Sequence, residues 1–521
     1  MARENWTSSI GFILASAGSA IGLGNIWKFP YVAGQNGGGS FVLVYVLCVL
    51  LIGLPVLCAE MLIGRHTRRN VINAMGKIEL FQPTAKHGRA MRLLLVVLSL
   101  GLAAAFAWMH AWLMVAVALF GAGAFYRKGF AAAGWICTGV ALAILSYYAV
   151  VGGWIVEYLW RSVTGALAAG GSDVAASGKA FAAYSSNPLR VLIGFVVFMG
   201  LTGAVILGGI QSGIERVSKV LMPALFVLLL VVIVRSVTLP GAWDGVVFLF
   251  KPTSAGFTPK VVLMALGQAF FSLSLGMAIT VTYGSYLHRE QNIIRAGGWV
   301  GILDTLAALL GGLAIFPAVF SMGLEPSAGP GLIFGALPSI FSQMWWGPFW
   351  ASCFFFMLLI AAVTSSAALL ECGATVLIER LRKGHKRRSR RTAVLVAFVG
   401  VTLLGLLTVF STADWSALPC LGEAMKHAMG NLCLVSWFDT LDNFASNWVL
   451  PFTALAIALL VGWVWTPRKA QRELLAEGEE NTFPAWVLTL WGFLIRWVAP
   501  IAIVIVFLHA TGLGEAIGLG N

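Results

Sequence analysis

Long, nearly uncharged apolar runs recur along this chain, and no other feature limits its fold so strongly. They span approximately 10–34, 39–64, 131–160, 190–207, 215–239, 260–287, 294–321, 347–379, 393–412, 440–466 and 484–512. A helix needs about 20 apolar residues to cross a bilayer core. In lipid, each backbone polar group must be satisfied inside its own segment, so these runs read as helices. A membrane barrel would show short alternating segments instead, and none is visible. Charged residues make up only 11% of the 521, against roughly 25% in soluble domains. The expectation is an all-α polytopic membrane protein, with one transmembrane domain over residues 1–521.

Charge orients the spans. The net charge is +13, and basic residues cluster at 65–92, 214–219, 288–295, 380–391 and 468–472. The alternate loops, near 165–188, 240–258, 322–346 and 413–438, are poor in Lys and Arg. This is the positive-inside pattern. It predicts a cytoplasmic N-terminus and an outside C-terminus. The densest run, from Arg380 to Arg391, reads as a loop beside anionic lipid, and no nucleic-acid partner is expected. No small-residue cleavage site follows the first apolar stretch, so that span is expected to stay in the mature protein.

One segment breaks the alternation. Residues 93–126 are apolar but lie between Lys86, Arg89 and Arg92 on one side and Arg127 and Lys128 on the other. Both flanks belong on the cytoplasmic side, so the segment reads as an extra apolar helical hairpin between spans 2 and 3. Trp108, His110 and Trp112 fall near its midpoint and read as packing residues. The seven cysteines show no metal-ligand spacing. Cys48, Cys58, Cys137, Cys353 and Cys372 read as small core residues. Cys420 and Cys433 share a polar loop, where an oxidising compartment would permit a disulfide. No phosphate-binding loop, catalytic triad or zinc motif is present, so an enzyme is not expected.

Two spans carry the chemistry. The first contains Gly18-Ser19-Ala20-Ile21-Gly22-Leu23-Gly24-Asn25 and then Pro30. These glycines suit either close helix packing or a broken helix whose freed carbonyls bind a cation. The sixth contains Gln268-Ala269-Phe270-Phe271-Ser272-Leu273-Ser274-Leu275-Gly276 and is interrupted in the same way. A pair of interrupted segments at matching places in two halves points to a transporter site. Asp304 is a carboxylate deep in span seven, and such residues usually mark ion pathways. Thr364-Ser365-Ser366 in span eight adds clustered hydroxyls, which in membrane helices often bond back to their own helix. Carbonyls, hydroxyls, an amide and one carboxylate suit a hard cation, not a soft metal.

Together these motifs resemble the neurotransmitter:sodium symporter family in its eleven-span bacterial form. The residues that carry the resemblance are Gly22–Pro30 with Trp27, Asn36-Gly37-Gly38-Gly39, Gln268–Gly276 and Thr364-Ser365-Ser366. It covers nearly the whole chain except residues 78–129. It implies a LeuT-like fold of two inverted five-helix repeats, about 8–239 and 258–466, with helices 1 and 6 unwound. A C-terminal eleventh span, 484–512, would follow.

The resemblance implies two sodium sites. The first would use the Ala20 carbonyl, Asn25, Ser272 and Asp304. The second would use the carbonyls of Gly18, Ile21 and Ala361 with the hydroxyls of Thr364 and Ser365. Substrate would contact Ser19, Ala20, Leu23, Gly24, Ile144, Tyr148, Phe271, Ser272, Ser274, Met277, Ser365 and Leu369, with Phe271 as an outer lid. That lining is apolar and lacks the aspartate that amine transporters of the family carry at the Ser19 position, so the implied cargo is a neutral, hydrophobic L-amino acid, aromatic ones included. Family members commonly have asparagine where this chain has Asp304, and animal members bind chloride nearby. Chloride-independent bacterial relatives can carry an acidic residue one turn further on, here Ala308. Asp304 would supply the missing charge, so no chloride is expected, and Tyr45 and Gln268 would be remnants of the chloride shell.

Gates follow by the same resemblance. Lys28 and Asp442 would pair on the outer side, and Arg3 and Glu379 on the cytoplasmic side near Trp6 and Tyr286. Gly213 and Pro223 would let the fifth helix unwind. The implied location is a bacterial inner membrane, with lipid, sodium ions and an amino acid as partners; the oligomeric state is left open. Rival readings are a proton-coupled or osmolyte transporter of the same fold, and an amino-acid-binding membrane sensor that transports nothing.

Overall fold

A computed structural model describes residues 4–80, 85–108, 112–167, 174–253, 256–324, 332–383, 390–412, 437–465, 467–475 and 484–510. Among them every regular element is helical. Helix α1 (Ser9–Ala20) starts where the Ser8 hydroxyl accepts from Gly11 N at 3.0 Å, the N-cap bond that satisfies an orphan donor. It meets α2 (Gly24–Gln35) at a 50° bend. Then come α3 (Gly39–Thr67), α4 (Val71–Leu80), α5 (Ala85–Trp108), α6 (Trp112–Lys128) and α7 (Ala131–Val163). Next are α8 (Val174–Ser185), α9 (Pro188–Leu207), α10 (Ile210–Val237) and α11 (Ala242–Phe250). The second half holds α12 (Pro259–Ser272), α13 (Ile279–Gly284), α14 (Ile293–Ser321), α15 (Ile333–Ser342) and α16 (Gly347–Lys383). Helices α17 (Arg390–Thr412), α18 (Thr440–Val464), α19 (Pro467–Leu474) and α20 (Ala485–Leu508) complete the order.

Nine helices among the described residues are long and apolar enough to cross a membrane, and the bent pair α1–α2 makes ten. The sixth apolar run is two short helices, α12 and α13. Between them Ser274, Gly276 and Ala278 have φ of 54°, 79° and 62°, a left-handed backbone that no helix continues. Both expected interruptions are therefore real breaks in the chain path.

Helix α7 packs along α16 and α9, while α14 packs on α10 and α11 and α13 on α3. Helices α5 and α6 pack on each other, α6 on α7, and α5 on the Leu460–Val464 end of α18. Leu95 and Phe125 are buried there, and the Phe125 ring lies 5.7 Å from Phe452. Leu93, Val97 and Leu100 on the other side are exposed. Residues His110, Cys420 and Cys433 lie outside the described residues, as does Arg3.

Candidate functional site

The two breaks meet in the centre of the bundle. Beside them, four of the expected polar groups form one knot. Asn25 Nδ2 donates to Ser272 Oγ (2.9 Å), Asp304 O (2.9 Å) and Asp304 Oδ1 (2.8 Å). Ser272 Oγ donates to Asp304 Oδ2 at 2.7 Å, and Tyr45 donates to Ser272 Oγ at 3.0 Å. Asp304 is fully buried, and among the described residues no Lys or Arg pairs with it. A buried carboxylate without a counter-charge is costly, and a cation in the knot would relieve it. The Asn25 amide oxygen accepts from Gly22 N at 3.3 Å; to ligate that cation it would have to turn inward. Gln268 Nε2 donates to Gly24 O at 2.8 Å, tying α12 to the first break.

A second oxygen cluster lies on the other side of α1. Ser365 Oγ donates to the carbonyls of Gly18 (3.3 Å) and Ile21 (3.4 Å). Thr364 Oγ1 donates to the carbonyls of Ile360 (3.0 Å) and Ala361 (3.1 Å). The helix break frees the Ile21 carbonyl for this use. Gly22 sits at the crossing: a methyl there would lie 2.6 Å from Ser365 Oγ and 3.1 Å from the Tyr148 hydroxyl. Only glycine fits.

Between the clusters is a chamber lined by Ser19, Ala20, Gly22, Leu23, Gly24, Ile144, Tyr148, Phe271, Ser274, Met277, Ile279, Ser365 and Leu369. All the expected substrate contacts are present except Ser272, which is turned to Asp304. Gly22 and Ile279 are additions. The Tyr148 hydroxyl accepts from Leu23 N at 3.3 Å, and Ser274 Oγ donates to Ser19 O at 3.4 Å. Leu23, Tyr148 and Phe271 also line a wider vestibule of about 500 Å³, so Phe271 stands at the junction.

Lys28 and Asp442 both line that vestibule. Lys28 Nζ lies 4.0 Å from the Phe271 ring centroid, while Asp442 Oδ1 accepts from Tyr147 (2.9 Å) and Ser446 (3.1 Å). The two charges face one opening, and among the described residues no ion pair within 4.0 Å joins them. At the N-terminal side, Trp6 is buried, and its indole donates to Tyr283 O at 3.0 Å. Tyr286 donates to Glu371 Oε1 (2.8 Å), and Glu371 pairs with Arg390 at 2.6 Å. Glu379 accepts from Asn70 N (2.6 Å) and from the amides of Asn70 and Asn73 (both 2.8 Å).

The stretch from Gly213 to Pro223 is helical in this structure, with a π turn over Ile210–Glu215. Glu215 ties it to the segment before α1 by accepting from Thr7 N at 2.8 Å, and pairs with Lys219 one turn along the same helix at 2.7 Å. The sequence reading also passed over Glu60. This buried carboxylate accepts from Gly276 N at 2.7 Å and from the Thr280 hydroxyl, so it ties α3 to the second break and to α13. Gly276 itself has φ of 79°, and a side chain there would meet Thr453 Oγ1 at 2.4 Å. Glu60, Glu215 and Glu371 each lie within or at the edge of an apolar run, the signal that singled out Asp304.

Two broken helices, two oxygen clusters and a largely apolar chamber between them define a secondary membrane transporter with a central cation-and-solute site. The model of the sodium:neurotransmitter symporter family matches residues 3–119 and 190–513, and the chain belongs to that family. The unmatched stretch is thus 120–189, overlapping the expected 78–129 only in α6. An uncharacterized sodium-dependent transporter of Bacillus subtilis, YhdH, is 38% identical over 511 residues, covering 98% of each chain. The sodium- and chloride-dependent GABA transporter 2 of Rattus norvegicus is 26% identical, over 85% of this chain and 74% of its own. The crystal structure of MhsT in complex with L-phenylalanine superposes with a TM-score of 0.77 at 36% identity, covering 98% of this chain and 100% of MhsT. The protein is accordingly a sodium-coupled membrane transporter of LeuT-type fold, and no enzyme.

Proposed function

We propose that the protein imports a neutral, hydrophobic L-amino acid with sodium, by alternating access and without chloride. The observation that carries this is the chamber's position. Ile144, Met277 and Leu369 wall one end, and freed backbone groups and the Tyr148 hydroxyl line the other. An apolar side chain suits the first, and a zwitterion's charged groups suit the second. The flexible Met277 accommodates bulky groups, and the likeness to MhsT bound to L-phenylalanine agrees with an aromatic cargo.

The knot at Asn25, Ser272 and Asp304, with the Ala20 carbonyl, is the first sodium site. Gly18, Ile21, Ala361, Thr364 and Ser365 form the second. Asp304 supplies the negative charge that chloride gives elsewhere in the family, with Gln268 and Tyr45 around it. Positive-inside charge puts the N-terminus in the cytoplasm of a bacterial cell, so the vestibule faces outward and Trp6 closes the inner side. The inward sodium gradient drives the cycle, each charge gaining about 2.3 kcal/mol per 100 mV.

A thermal-shift screen of the twenty amino acids, with and without sodium, tests the cargo. A ligand of the folded state raises apparent stability. Hydrophobic amino acids should raise Tm only with sodium. Shifts confined to small osmolytes, or indifferent to sodium, would refute the reading. Accumulation in proteoliposomes under a sodium gradient separates a transporter from a sensor.

A further inference from the structure

Arg496 has no place in the transport site, and no residue near it in α20 lines the substrate chamber. It is the middle of a 24-residue apolar helix, Ala485–Leu508. Residues Leu494–Val498 form a π turn there, packed on a second π turn at Leu460–Val464 in α18. Single π turns inside α-helices are frequent at functional sites. The helices cross closely: a methyl on Gly462 would lie 3.0 Å from Arg496 Cα.

This crossing holds the guanidinium against two neighbouring indoles. Its central carbon lies 4.4 Å from the Trp463 ring centroid and 5.7 Å from that of Trp497. Trp463 Nε1 donates to Arg496 O at 2.9 Å, and the two indoles meet edge to face at 4.7 Å. Cation–π stacking fixes the position of the charge. It leaves the planar N–H donors unused.

No oxygen answers them. Among the described residues, Arg496 has no carboxylate within 4.0 Å and donates no hydrogen bond, and its Nε is buried without a partner. The Nε of Arg390 and that of Arg65 also donate no hydrogen bond, but their other nitrogens are used: Arg390 pairs with Glu371, and Arg65 donates to the carbonyls of Gln291 and Leu475. Beside Arg496, Phe493, Trp497 and Ile501 are 54%, 46% and 57% exposed. That side of α20 faces lipid. A charge inside a membrane span calls for a partner, and here the bundle offers none.

We propose that Arg496, stacked on Trp463 beside Trp497, binds the phosphate of an anionic phospholipid at the crossing of α18 and α20. The guanidinium fork matches two phosphate oxygens. A groove open to the bilayer is supplied from the bilayer, and basic pockets between membrane helices hold lipid headgroups. The headgroup and the arginine reach one another by snorkelling and local thinning of the bilayer.

Native mass spectrometry of the purified full chain, and its Tm in nanodiscs, test this. Wild type should retain an anionic phospholipid, and phosphatidylglycerol should raise its Tm above that in phosphatidylcholine alone. Inorganic phosphate added to phosphatidylcholine discs should not. Arg496→Gln should lose both the adduct and the shift, and Trp463→Leu should weaken them about tenfold. Arg496→Lys should keep the adduct with a smaller shift. A retained sodium-dependent substrate shift in each variant shows that it is folded. Wild type without a retained anionic lipid or a phosphatidylglycerol shift overturns the site, as does an unchanged adduct in folded Arg496→Gln. An equal shift from inorganic phosphate overturns the lipid assignment.

Discussion

Asp304 is where a single charge decides the chemistry. Its carboxylate takes Asn25 and Ser272 within 2.9 Å, and burial denies it water. Replacing it by asparagine keeps the shape and removes the charge. Asp304→Asn should weaken sodium activation of uptake tenfold or more, at least ~1.4 kcal/mol, and any remaining uptake should depend on chloride. Wild-type uptake should be unchanged when gluconate replaces chloride; a strict chloride requirement would sink the assignment. Gly22→Ala tests the second cluster, because its new methyl must displace the Ser365 hydroxyl. Uptake should fall below a tenth of wild type with Tm shifted little, read in parallel on one preparation. Asp304 was legible in the sequence as a lone carboxylate in an apolar span. Glu60 and Arg496 carried the same signal and were passed over. Their meaning depends on partners far along the chain: Glu60 meets Gly276 across 216 residues.

At the scale of elements, the breaks in the first and sixth spans follow from local chemistry. Glycines weaken the helices there, and the freed backbone groups find partners in Gln268 and Glu60. What residue type could not supply is how an element is held. The stretch from Gly213 to Pro223, expected to permit unwinding of the fifth helix, is helical here, and Glu215 in its π turn accepts from Thr7 N. Glu379 accepts from Asn70 and Asn73, and its expected partner Arg3 lies outside the described residues. Helix α19 is docked by Glu473, which lies 3.3 Å from His66 and 4.0 Å from Arg65. Burial pushes the Glu473 carboxyl up, but the His66 hydrogen bond and the charges of His66, Arg65 and Arg289 together hold it below its ordinary 4.5. Its stabilising effect is therefore full above about pH 4.5 and is lost as the pH falls through the lowered folded value. Glu473→Gln should cost about 0.5–1 kcal/mol at neutral pH, and its Tm should converge with wild type in acid. A difference that grows on acidification would contradict this.

For the whole molecule, the structure is asymmetric about the chamber. One side opens into the vestibule of Lys28 and Asp442; the other is closed by Trp6 under Tyr283 and Tyr286. Helices α5 and α6 stand apart from both, against α7 and α18. Packing, not removal from water, holds such helices in lipid. Replacing residues 82–129 by a short linker should lower Tm by several degrees yet leave the sodium-dependent substrate shift intact. Loss of that shift would assign the pair a part in the transport cycle.

Membrane residence and the two breaks were readable from the chain because hydropathy and glycine act over neighbouring residues. The oxygen-bearing residues named by the resemblance lie in two clusters beside one chamber. Only the tertiary structure decided which carboxylate meets which donor, and that among the described residues no carboxylate or carbonyl accepts from the Arg496 guanidinium. Those facts depend on contacts between helices hundreds of residues apart, and no local pattern encodes them.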